Sequence, residues 1–92
     1  MGAIQPLTEL PDLSADLDDA VRTGLGLAPE VDVRPIAYGE IEEWDSVAHM
    51  QLVAALEGTF GIMIDTDDVI AMSDYGEIRR ILRDHHGIAL EP

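Results

Sequence analysis

Residues 45–64 read DSVAHMQLVAALEGTFGIMI, and within them 46–60 set the architecture. From Ser46 to Phe60 no helix breaker occurs before Gly58, and Ser46 suits the N-cap. Leu52, Leu56 and Phe60, with Val53, recur at helical spacing and predict a buried stripe. Val47, Met50 and Ala54 fall on another side, so this helix carries more apolar surface than one core face requires. Such surplus on a small acidic domain marks a candidate docking face. Ile62 and Ile64 alternate with Gly61 and Met63 in strand fashion, but the chain offers no second strand to pair with them. That segment is read as an ordered loop.

Upstream, Leu13, Leu17, Val21 and Leu25 recur every four residues and predict a first helix over about 14–25. Ser14 is its expected N-cap, and Asp16, Asp18 and Asp19 favour its start through the helix dipole. Gly24 weakens its end, and Gly26 suits its C-terminal cap. Residues 26–44 carry Pro29 and Pro35 and form a long connection that Ile36 and Ile41 should pin to the core. Loops of that length in small domains are often functional. Downstream, Asp65 or Thr66 can cap a short helix through DDVIAM. Ser73 or Asp74 then caps a last helix that buries Ile78, Ile81 and Leu82 and closes at Gly87. Arg79, Arg80, Arg83, His85 and His86 suit the negative end of its dipole. Residues 1–12 are expected to be a loosely ordered lead-in and 88–92 a tail. The expected fold is all-α: one domain over 1–92, a small four-helix bundle of three longer helices and one short one.

The chain has 92 residues, 19 acidic and five basic, and a formal net charge of -14. All five cations are arginines. Such a field repels nucleic acid and anionic lipid and attracts partners with basic patches. Cysteine is absent, which excludes disulfides and thiol chemistry, and aromatics make up only 4% of the chain. MGAIQPLTEL lacks the basic start and apolar run of a signal peptide, and Pro6 stands where a myristoylation motif wants Ser or Thr. No apolar run approaches membrane-spanning length. The expectation is a cytoplasmic monomer that binds neither nucleic acid nor membrane.

The chemistry-bearing residues are few. Asp65-Thr66-Asp67-Asp68 suggests calcium, but a calcium loop starting there would want Gly and Glu where Ile70 and Gly76 stand. His85 and His86 are adjacent on a helix, diverge, and are read as surface residues that compensate the dipole. His49, one turn from Ser46, is read as a surface residue and not as a general base. No nucleophile, base and orienter form a recognisable set, so no metal site and no catalytic site is expected.

Asp45-Ser46 alone reads as a helix cap, but its surroundings say more. WDSVAHMQLVAALEGTFGIMIDTDD resembles the central part of acyl and peptidyl carrier proteins. In that family an Asp-Ser-Leu motif opens the second helix, and a Leu-Glu-x-x-Phe-Gly-Ile-x-Ile run follows. The matching residues are Asp45, Ser46, Leu52, Leu56, Glu57, Phe60, Gly61, Ile62 and Ile64, with Leu25-Gly26 and the Ser73–Leu82 helix beyond them. The resemblance spans about residues 14–84. It implies that Ser46 carries a 4′-phosphopantetheine arm, added from coenzyme A by a phosphopantetheinyl transferase. An acyl- or aminoacyl-loading enzyme would charge the arm, and ketosynthase, condensation or tailoring enzymes would receive the cargo. It further implies a partner surface of Asp45, Val47, Met50, Ala54, Glu57, Ile64 and Asp68.

Val47 replaces the family's Leu, and Glu43-Trp44-Asp45-Ser46 replaces the Gly-x-Asp-Ser lead of fatty acid synthase carriers. With Ala48, Gln51 and Gly58 at polar positions of the second helix, this pattern is more like discrete carriers of dedicated polyketide, peptide or other specialised biosynthetic pathways. The reading from another class is an unmodified acidic helical adaptor for a basic partner. It accounts for the charge and the apolar face but not for the placement of Asp45-Ser46.

Overall fold

The helix starts are set by aspartates. In the computed structural model, which describes residues 12–91, Asp45 accepts from the Ala48 amide at 2.8 Å and opens α2, Ser46–Phe60. Asp65 does the same for Asp68 at 2.9 Å and opens α3, Thr66–Ala71. Asp74 accepts from Glu77 at 2.7 Å and opens α4, Tyr75–His86. Ser46 was expected to cap α2 itself; it is instead the first helical residue, because the carboxylate one position earlier already takes the free amide. The first helix, α1, covers Ser14–Leu25, but Ser14 is not its cap. Its amide and hydroxyl both donate to Asp12, at 2.9 and 2.6 Å. Gly26 and Gly87 close α1 and α4 with φ of 68° and 67°, the left-handed conformation expected for both.

Among the described residues the four helices are the regular structure, with a single isolated antiparallel bridge between Ala37 and Asp74. Residues 62–64 are loop, as their lack of a partner strand requires. Leu17, Val21 and Leu25 from α1, Leu52 and Leu56 from α2, and Ile78, Ile81 and Leu82 from α4 are buried together. Phe60 packs against this core but is only half-buried. The α1–α2 crossing is close because Gly24 lies in it: a Cβ there would come within 2.6 Å of the Leu52 Cα. The residue that weakens α1 by propensity is thus the one that lets α2 approach.

The long connection is held more firmly than Ile36 and Ile41 suggest. Ile36 is buried and Ile41 packs at the edge, but Val33 and Trp44 are fully enclosed as well. The Tyr38 amide donates to the Ser73 carbonyl at 2.9 Å, and Arg22 Nε donates to Val31 O at 2.8 Å.

The expected C-terminal tail is not free over 88–91. Leu90 is buried, the Leu13 amide donates to Ala89 O at 2.9 Å, and Arg79 Nε donates to Glu91 O at 2.8 Å. Arg79 also reaches Ser14 Oγ at 2.7 Å and the Tyr75 hydroxyl at 3.2 Å, so it joins α4, α1 and the C-terminal segment. Tyr75 donates its O–H to Asp18 at 2.6 Å. Burial first, and the neighbouring Asp18 carboxylate second, push the Tyr75 phenol up to about 12. The expected lead-in lies, apart from Asp12, outside the described residues.

Candidate functional site

Ser46 stands exposed on the first turn of α2, at the rim of a cleft of about 310 Å³. Tyr38 and Ser73 line one side of it, His49 and Met50 come from α2, and Val69, Ile70 and Met72 come from α3 and its end. The long loop, the longest helix and the shortest helix therefore meet at the one serine the sequence singles out. Helix starts leave backbone N–H groups unpaired and favour an anion, so a phosphodiester on this hydroxyl fits the local field.

Two of the lining side chains, Tyr38 and His49, are rings, and His49 is backed by Trp44. The Tyr38 ring meets His49 edge-on, with centroids 5.5 Å apart at 85°, and Trp44 stacks on His49 at 6.1 Å and 19°. Trp44 Nε1 donates to His49 Nδ1 at 3.0 Å, and His49 Nε2 lies 2.7 Å from the Val69 carbonyl. His49 is therefore half-buried and structural, not the surface residue expected. Indole is only a donor and a carbonyl only an acceptor. Both ring nitrogens are consequently occupied, and neither is free to take the proton of Ser46.

The residues expected on a partner surface divide into two groups. Asp45, Val47, Met50 and Ala54 are exposed around Ser46. Glu57 is half-buried, and its Oε2 accepts from the Ile64 amide at 2.9 Å, which pins the loop after α2. Ile64 and Asp68 are buried, contrary to expectation. Ile64 turns into the core. Asp68 turns toward α4, where His85 Nδ1 meets Oδ1 at 2.9 Å and His86 Nε2 meets Oδ2 at 3.3 Å. The two histidines read as diverging surface residues thus converge on one carboxylate, because Asp68 presents an oxygen to each.

Two further apolar residues are exposed that the sequence did not single out, Met63 at 89% and Ile70 at 74%, against 67% for Val47 and 57% for Met50. Ile70 lines the cleft together with Met50. Val69 packs against the core while its neighbour Ile70 is exposed. Among the described residues no group of three His, Asp or Glu side chains is arranged to hold a metal. No described helix is long and apolar enough to cross a membrane.

No family model matches the chain, and no curated protein or solved structure matches it either. What bears on function is therefore the serine, the cleft and the charge around them.

Proposed function

We propose that this chain is an acyl carrier protein that holds acyl or aminoacyl groups as thioesters on a 4′-phosphopantetheine arm attached to Ser46. One observation carries the reading: Ser46 is exposed on the first turn of the longest helix, beside an apolar cleft, directly after the aspartate that caps that helix. The arm would supply a terminal thiol for thioester exchange. The chain's own residues do the rest. Asp45 holds the helix start rigid through Ala48, which keeps the hydroxyl presented to a phosphopantetheinyl transferase. The first-turn amides favour the phosphodiester. His49, with both nitrogens engaged, leaves activation of the hydroxyl to the partner enzyme.

Docking of the transferase, of an acyl- or aminoacyl-loading enzyme, and of ketosynthase, condensation or tailoring enzymes would use Val47, Met50 and Ala54. Ile70, which lines the same cleft as Met50, joins this set in place of the buried Ile64 and Asp68. The net charge of -14 would speed encounter with basic partners at low salt. Trp44 before Asp45-Ser46 favours a dedicated polyketide or peptide pathway.

The exposed apolar face also supports a second reading, an unmodified acidic adaptor that presents Val47, Met50 and Ile70 to a basic partner. Intact mass after incubation with coenzyme A, magnesium and a broad-specificity transferase separates the two. The carrier gains one phosphopantetheine in the parent and none in Ser46→Ala. No gain with any of several transferases overturns the carrier reading and leaves the adaptor.

A further inference from the structure

Val69 and Ile70 of α3 form one wall of the cleft beside Ser46, and Met50 and Met72 add thioethers to its lining. Val69 packs against the core and Met72 is fully buried, but Met50 and Ile70 are 57% and 74% exposed. Two flexible apolar side chains thus stand in water at the edge of a cleft that the serine also lines.

Little in the lining can satisfy a polar guest. Both nitrogens of His49 are taken, by the Trp44 indole and the Val69 carbonyl. The Ser73 amide donates to Ala71 O at 2.8 Å, and the Ser73 carbonyl accepts from the Tyr38 amide. Besides Ser46, only Tyr38 and Ser73 among the lining residues carry hydroxyls. Behind the His49 ring stands Trp44, fully buried, so on that side the cleft stops at an indole. An amide pressed in here would give up water for few partners, whereas methyl groups would leave water at a gain.

That preference picks out one part of a phosphopantetheine arm. Outward from the serine oxygen, the arm runs through a phosphodiester, a carbon bearing two methyl groups, a secondary hydroxyl, two amides and a thiol. The dimethyl segment is its apolar part, and it lies only a few bonds from the serine, where the cleft begins. Cargo on the thiol lies beyond both amides. A cavity of about 150 Å³ already takes a benzene-sized group, so a cleft of about 310 Å³ has room for the dimethyl segment.

We propose, resting on the carrier reading of Ser46, that this cleft is a seat for the dimethyl segment of the arm, held against Met50 and Ile70. The amides and the cargo stay outside. The seat covers the two exposed side chains and steadies the root of the arm, while its outer part remains free to swing toward a partner. Burial of two methyl groups favours the seated arm by roughly tenfold before the ordering of the arm is counted, so a partner can lift it out.

The test compares the unprimed chain with chain primed to completion, once from coenzyme A and once from an analogue whose arm lacks the two methyls. Carbon-13 methyl spectra of Met and Ile are the readout. With the natural arm, the signals of Met50 and Ile70 shift, and both show nuclear Overhauser contacts to the geminal methyls. Met63, which follows the far end of α2, stays in place. With the analogue, Met50 and Ile70 remain near their unprimed positions. In fully primed Ile70→Ser the contacts to Met50 are lost. Full priming without these contacts, equal shifts from the analogue, contacts that start from the thiol end, or contacts that survive in Ile70→Ser each overturn the seat and leave the carrier reading intact. Failure of priming overturns the carrier reading itself, and the seat falls with it.

Discussion

The α1–α2 seam and the α3 wall are built from opposite materials. At the seam, Gly24 admits the α2 backbone, and Leu17, Val21, Leu25, Leu52 and Leu56 fill the space with groups that carry no proton. At the wall, a six-residue helix is tied down by three imidazoles, one carboxylate and one carbonyl. Aliphatic burial is insensitive to pH and punishes any change of volume. Hydrogen bonds through imidazole are individually modest and change with protonation. The same chain therefore holds a rigid half, close-packed at the seam, and a polar-tied half that lies against its serine.

The comparison breaks first at the seam if it is not close-packed. Leu52→Ala should cost about 2–5 kcal/mol in denaturant unfolding, the transfer loss plus an unfilled cavity. Gly24→Ala should cost about 1–3 kcal/mol by forcing the helices apart. Gly58→Ala on α2, where a Cβ meets nothing within 4 Å, should instead stabilise by about 0.5–1 kcal/mol. Equal effects of the two glycine variants would show that the crossing has slack.

The wall is sharpened by Asp68→Asn, which removes the negative charge and one of the two acceptor oxygens that the imidazoles share. A loss of about 1–2 kcal/mol is expected, read chiefly as faster amide exchange in α3 and less in global unfolding. Uniform loss across all four helices would show that α3 is part of the rigid half.

Tyr75 offers an intermediate case, a titratable group on the rigid side. Its phenol is pushed up to about 12, so the folded chain holds that proton more firmly than the unfolded one. The contribution is complete below the unfolded value near 10 and is lost as pH rises through the folded value. Tyr75→Phe should cost about 1 kcal/mol near neutrality and flatten the alkaline fall in stability, measured by unfolding across that range. An unchanged alkaline slope would assign the fall to other groups. Smallest of all, Ile70→Ser should alter unfolding by less than about 0.5 kcal/mol, because the side chain is 74% exposed. If partner binding drops while stability holds, the exposed apolar face is there for recognition.

Much of the helical layout could be read along the chain. Leu17, Val21 and Leu25, and then Leu52 and Leu56, repeat at the helical period, and their burial follows from it. Gly26 and Gly87 end helices where they were expected to. The place of Ser46 was legible too, through the residues on either side of it. Caps were harder: Asp45 takes the free Ala48 amide ahead of the adjacent Ser46, and Ser14 is a donor to Asp12 and not a cap, choices that spacing alone does not make. Gly24 was read for its propensity, and its partner, Leu52, lies 28 positions further along the chain. Ile64 was read as surface because nothing local says which way a loop residue turns.

What the sequence by itself determined was therefore local: four helices, their ends, an acidic surface, an apolar second face on α2, and a serine at its start. Those follow from hydrogen bonds and periodicities that span one or two turns. Only the tertiary structure decided which polar side chains face inward. Asp68 meets histidines 17 and 18 residues away, His49 meets a carbonyl 20 residues away, and Tyr75 meets Asp18 across 57. A buried polar group must find a partner, and for these four residues the partner comes from another helix, at a place that exists only once the helices have packed.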